Sequence, residues 1–87
     1  MTEETNKEPV PQTNIREYRR KRRISLVELS EMTGIGKDTI NRYERGTCKT
    51  IDLIDIVRIA KALHVKPGLL IKWENVESAL IMNVPKN

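Results

Sequence analysis

At 87 residues the chain is long enough for one small domain with a modest core. Hydrophobic residues make up 38% and charged residues 32%, with no Phe and a single Trp, so the core must come from Ile, Leu and Val, as a small helical bundle allows. No apolar run approaches membrane-spanning length and no signal-peptide core precedes the domain, so no membrane association is expected and a cytoplasmic protein follows.

The net charge of +4 is unevenly spread. Residues 15–50 hold ten Lys and Arg against five Asp and Glu, whereas residues 1–14 are net acidic and residues 51–87 nearly balanced. A basic middle segment points to a polyanion as partner, as DNA phosphates would be. A single cysteine, Cys48, excludes an internal disulfide and leaves no Cys/His set at zinc spacing, so no metal is expected. The one histidine, His64, is equally isolated and is read as a helix-end residue near the dipole. There is no nucleophile–base constellation, no paired-carboxylate pattern and no Gly-rich phosphate loop, which argues against an enzyme and leaves no cofactor to expect.

In chain order, residues 1–12 (MTEETNKEPVPQ) are polar and acidic and contain Pro9 and Pro11, a composition that reads as a disordered tail. Helix 1 is predicted over about Thr13 to Arg22, with Asn14 and Glu17 spaced as a capping box and Ile15 and Tyr18 as apolar contacts. The run Arg19–Arg23 is the densest basic stretch, and Arg16, Arg20 or Arg23 are candidates to reach phosphate. Helix 2 starts at Ser25, a natural N-cap whose capping box is completed by Glu28, with Ile24 and Leu29 placed as a hydrophobic staple. It must end at Gly34, where only glycine takes the left-handed conformation without strain.

Helix 3 follows from Gly36, with Ile35 and Ile40 as its staple. At about 100° per residue, Lys37, Asp38, Asn41 and Arg42 fall within an arc of roughly 140°, and Ile40 and Tyr43 lie opposite, on the core side. One face thus carries groups that can bond base edges while the other is apolar, which suits a helix lying in a major groove. An ordinary solvated helix face would fit mixed charges equally well. After the loop Thr47–Thr50, helix 4 is predicted over about Asp52 to Leu63, capped by Asp52. Leu53, Ile56, Val57, Ile59, Ala60 and Leu63 recur on it at helical spacing and are read as core. Pro67 opens a short fifth helix to Ile71, and Val65, Leu70 and Ile71 close the core. In the remaining extension, Trp73, Val76, Ala79 and Leu80 form an apolar segment that either contacts a second copy or folds back over the domain's own core.

The pattern I-R-x-Y-R…I-S-L-x-E-L-S-x-x-T-G-I-G-K-x-T-I-x-R-Y-E-R-G, continued by I-x-x-I-A-K-A-L-x-V, resembles the phage repressor and Cro-type (XRE-like) helix-turn-helix family over roughly Ile15 to Ile71. The resemblance implies an all-α fold, a compact five-helix bundle of the lambda-repressor-like type. Its domain would span residues 13–71, flanked by the disordered N-terminal tail (1–12) and a short C-terminal extension (72–87). It also implies a bacterial or phage-encoded regulator that binds double-stranded DNA. Lys37, Asp38, Asn41 and Arg42 would contact bases; Ser25, Gly36, Arg45, Thr47, Lys49 and Thr50 would contact phosphates. Arg19 and Glu44 would form a structural ion pair that locks helix 1 to helix 3. A homodimer is implied, with the segment Trp73–Val84 as candidate contact for a second copy or another protein, and no small-molecule ligand. Three positions depart from the family pattern: Leu26 stands where many relatives have glutamine, Gly36 where serine is usual, and Arg23 where glycine is frequent. The alternative function is a protein-interaction module, an antitoxin or adaptor that keeps this fold with weak DNA binding.

Overall fold

Short amphipathic helices are marginal alone and hold only when their apolar stripes meet. A computed structural model describes residues 10–74 and shows how this chain arranges that meeting. Four α-helices run in the order α1 (Ile15–Lys21), α2 (Leu26–Thr33), α3 (Lys37–Arg45) and α4 (Leu53–Leu63), followed by a 3-10 turn over Pro67–Leu70. Ile15, Leu29, Ile40, Ile59, Leu63 and Leu70, one or two from each element, are fully buried together. Burying such a side chain contributes about 1.5–3 kcal/mol, so this one cluster accounts for much of the driving force.

The expected fifth helix is one turn of 3-10 geometry, with Leu69 N–H donating to the Lys66 carbonyl at 2.9 Å. Pro67 at its first position contributes no N–H, and the chain turns extended at Ile71 to form an antiparallel bridge with Thr13. That bridge competes with helix continuation and wins: Asn14 N–H donates to the Leu70 carbonyl at 2.8 Å and Lys72 N–H to the Gln12 carbonyl at 2.9 Å. Gln12 is therefore tied to the domain. The tail reading for residues 1–9 and the extension reading for residues 75–87 lie outside the described residues.

The same clasp overturns the capping box expected at helix 1. Asn14 is its N-cap without a side-chain cap bond, because the Asn14 amide donates to the Leu69 carbonyl at 3.0 Å instead. The helix begins at Ile15 rather than Thr13, and Thr13 is buried with its hydroxyl donating to the Tyr43 carbonyl at 3.1 Å.

On α4 the Asp52 carboxylate caps as expected, accepting from Ile54 N–H at 2.8 Å and Asp55 N–H at 3.3 Å. Leu53, however, is not core: it is 73% exposed and its neighbour Ile54 is 63% exposed. Among the described residues, the period of α4 runs on at its first turn past the helices it packs on. Arg23 takes φ 59°, the left-handed conformation that glycine adopts without strain, and His64 caps the end of α4 in the same region.

Candidate nucleic-acid interface

The candidate interface is the α2–turn–α3 unit with the loop that follows it. At the start of α2, Glu28 N–H donates to Ser25 Oγ at 3.0 Å and Ser25 N–H donates to Glu28 Oε1 at 2.7 Å, a complete capping box. At its end, Gly34 sits at φ 77° and the chain reverses. Thr33 holds the reversal from inside: its hydroxyl donates to the Leu29 carbonyl at 2.8 Å and accepts from Ile35 N–H at 3.2 Å. Ser30 adds a 2.6 Å bond to the Ile35 carbonyl. These short bonds set the angle at which α3 leaves the turn.

Helix α3 then divides as its spacing predicts. Ile40 is fully buried and Tyr43 5% exposed on one side, while Lys37, Asp38 and Arg42 are exposed on the other and Asn41 is half-buried. No residue of the chain described here covers the exposed side chains of Lys37, Asp38 and Arg42. Gly36 caps the helix with no side-chain bond, leaving its start exposed.

The far end of α3 is pinned by charge. The Glu44 side chain is 1% exposed, and Arg19 meets it in two parallel bonds, Nε to Oε2 at 2.7 Å and Nη2 to Oε1 at 3.0 Å. Arg19 Nη1 also donates to the Ile24 carbonyl at 3.1 Å, so the guanidinium ties α1, the α1–α2 loop and α3 together. The hydrogen bond to Glu44 raises the Arg19 pKa against the opposing effect of burial. Arg16, one of the side chains considered for phosphate, donates to the same carboxylate through Nε at 3.2 Å. Arg20 and Arg23 remain exposed.

Around this helix lie the expected phosphate donors. Ser25, Gly36, Arg45, Thr47, Lys49 and Thr50 are all exposed, and Ser25 Oγ also accepts from Glu28 N–H as the helix cap. The Thr47 hydroxyl makes a long 3.4 Å bond to the Arg42 carbonyl. Leu26 is half-buried and packs against the core rather than presenting a donor.

Four residues that position the interface escaped the sequence reading. Arg22 sits inside the basic run yet donates to the Leu63 carbonyl at 2.7 Å and the His64 carbonyl at 3.2 Å, satisfying the end of α4. Thr13 and Gln12 brace the end of α3 through the Tyr43 and Gly46 carbonyls. Asp55 accepts from the Tyr43 hydroxyl at 2.6 Å. Each bond spans 12 to 42 positions of sequence, beyond any local spacing rule.

Away from α3, a shallow apolar hollow of about 280 Å³ is lined by Pro11, Leu53, Ile56, Pro67, Ile71 and Trp73. Trp73 is 50% exposed and donates through Nε1 to the Gly68 carbonyl at 2.7 Å. Of the segment Trp73–Val84, Asn75 to Val84 lie outside the described residues.

A glycine-turned pair of helices, the second with a polar outer face and a locked back, defines a helix-turn-helix protein. The chain belongs to the HTH_3 helix-turn-helix family of transcription regulators, whose model matches residues 15–70. It is 35% identical over 57 residues to the uncharacterized HTH-type transcriptional regulator YozG of Bacillus subtilis (strain 168), a span covering 66% of this chain and 68% of that protein. Among solved structures it resembles the restriction-modification controller protein C.AhdI from Aeromonas hydrophila, with a TM-score of 0.59 and 27% identity over 63% of this chain and 82% of that one. A chain of the SinR protein/SinI protein complex matches with a TM-score of 0.63 and 26% identity, covering 84% and 81% of the two chains. Among the described residues, no helix is long and apolar enough to cross a membrane.

Proposed function

We propose that the protein is a sequence-specific regulator of transcription that inserts α3 (Lys37–Arg45) into the major groove of double-stranded DNA and represses by occupying its site. The observation that carries this reading is the exposure of Lys37, Asp38 and Arg42 on a helix whose opposite side is fixed by Ile40, Tyr43 and the Glu44 ion pair. Lys37 and Arg42 suit guanine O6 and N7, Asn41 suits adenine, and Asp38 accepts from cytosine N4. Phosphates are held by the start of α2 at Ser25, by Gly36, and by Arg45, Thr47, Lys49 and Thr50, which fix register without reading sequence. With about five phosphates neutralised per half-site, log K falls with log salt at roughly −4.5 per half-site.

The protein acts as a two-fold dimer on half-sites about 34–36 Å apart. The exposed Leu53, Ile54 and Trp73 support this, as apolar side chains that a second copy would cover. Residues 13–71 form the DNA-binding domain, residues 72–87 extend the contact with the second copy, and the protein works in the cytoplasm. The same apolar patch also favours a second reading, an interaction module whose main partner is another protein, and the SinR chain that this fold matches is itself in a complex with SinI protein.

Selection of bound DNA from a random pool separates the two. A partly symmetric site is expected, and Arg42→Ala should weaken it by about 1–3 kcal/mol while relaxing one base position. An unenriched pool beside a tightly co-purifying protein would establish the interaction module instead.

A further inference from the structure

The hydroxyl of Tyr43 does more than fill the core. Tyr43 lies on α3, one residue before Glu44 and one after Arg42, and its ring is almost wholly buried. Its Oη donates to Asp55 Oδ2 at 2.6 Å and accepts from Asp52 N–H at 3.4 Å. Asp52 in turn accepts from the N–H groups of Ile54 and Asp55, so both acids belong to the start of α4. One oxygen atom on α3 thereby grips the first turn of α4.

Between these fixed points runs the loop from Gly46 to Asp52. Its near end is closed by Gly46 at φ 72° and by Thr47 N–H donating to the Arg42 carbonyl at 3.1 Å. Gln12 lies against Gly46, so close that a β-carbon there would collide with its amide. Its far end is closed by the Asp52 amide on the phenol. Cys48 and Ile51 turn partly inward onto the core, and Thr47, Lys49 and Thr50 turn outward. The three outward residues are those assigned to phosphate, and their distance from Arg42 is set by the two closures.

We propose that the Tyr43 hydroxyl is a positioning group for DNA binding: by joining α3 to the start of α4 it sets the phosphate-contacting loop at a defined offset from the base-contacting face. The inference deepens the DNA-binding reading and rests on it for its consequence, although the clamp itself is a property of the free protein. Phosphate contacts bind with full strength only when they share a register with the helix in the groove. Burial and the bond to Asp55 push the Tyr43 pKa up to about 12, so the phenol remains a donor across the working range.

Tyr43→Phe tests this, because it removes the hydroxyl and keeps the buried ring. In the free protein, amide exchange over Thr47–Asp52 should accelerate about tenfold, with the α1 and α2 amides unchanged, as expected of a local opening. On DNA selected with the wild-type protein, affinity should fall by about three- to tenfold. The salt slope should become shallower by about one per half-site, with base preference unaltered. Asp55→Asn, which keeps an acceptor for the phenol, should show a smaller change in both. Unchanged exchange in the loop overturns the clamp. A loss of affinity at an unchanged salt slope, or a change of base preference, overturns its role in register. Should the wild-type protein select no DNA, the proposed function fails, while the exchange measurement still decides whether the hydroxyl holds the loop.

Discussion

Helices α3 and α4 are both amphipathic, both bury isoleucines against the same core, and present opposite surfaces to the outside. On α3 the outward positions are Lys37, Asp38, Arg42 and Arg45, all exposed and polar. On the first turn of α4 they are Leu53 and Ile54, more than half exposed and apolar, with Arg58 and Lys61 only further along. The contrast follows from where each helix lies. α3 is held along its length, by Ile40 in the core, Tyr43 against Asp55 and Glu44 beneath two arginines. Among the described residues, the first turn of α4 leaves Leu53 and Ile54 largely uncovered. A rigid helix with polar groups outward can read a fixed pattern of donors and acceptors, whereas an overhanging apolar turn can only be covered.

The largest expected effect breaks the support under α3. Arg19→Ala leaves the Glu44 carboxylate buried with Arg16 as its remaining partner, and stability should fall by about 3–5 kcal/mol in urea or thermal unfolding. Loss of less than about 1 kcal/mol would mean that Arg16, at 3.2 Å, takes over the pairing.

A smaller effect comes from pH. The Tyr43 phenol is raised from 10.0 to about 12 in the folded protein, by burial first and by Asp55 second. An unfolded chain releases that proton at lower pH than the folded one does. Stability from this group is therefore complete below about pH 10 and is lost as pH rises towards 12, by at most about 2–3 kcal/mol for two units. Tyr43→Phe should remove that alkaline slope in unfolding measured from pH 9 to 11.5.

The smallest effect on folding, and the sharpest test of the contrast, is on α4. Leu53→Asp alters a side chain that the described residues leave exposed, so stability should change by no more than about 0.5 kcal/mol. Self-association measured by sedimentation should nevertheless weaken at least tenfold. If stability collapses instead, Leu53 is held by its own chain, and the apolar turn is not a contact for a second copy.

How far the sequence could be read depends on the range of each interaction. Ser25 with Glu28, Gly34 at the turn and Asp52 at the start of α4 all follow from neighbours within a turn, and each stands in the structure as the local chemistry requires. The glycine-like conformation of Arg23 is signalled only by the family resemblance. Asn14 carries the same local signal as Ser25, yet its amide is drawn to the Leu69 carbonyl 55 positions away. Arg22 looks like its neighbours in the basic run, yet spends its guanidinium on the end of α4. Leu53 fits the core period of α4 and stands in water.

The chain alone thus determined its helices, its glycine turn and which side of α3 is polar, because caps, left-handed glycines and a 3.6-residue period act over a few residues. Tertiary structure decided which arginine supports and which is free, where the period of α4 runs past its neighbours, and that a tyrosine hydroxyl joins α3 to α4. Those outcomes depend on groups brought together from distant parts of the chain, and their distances exist only once the core has closed.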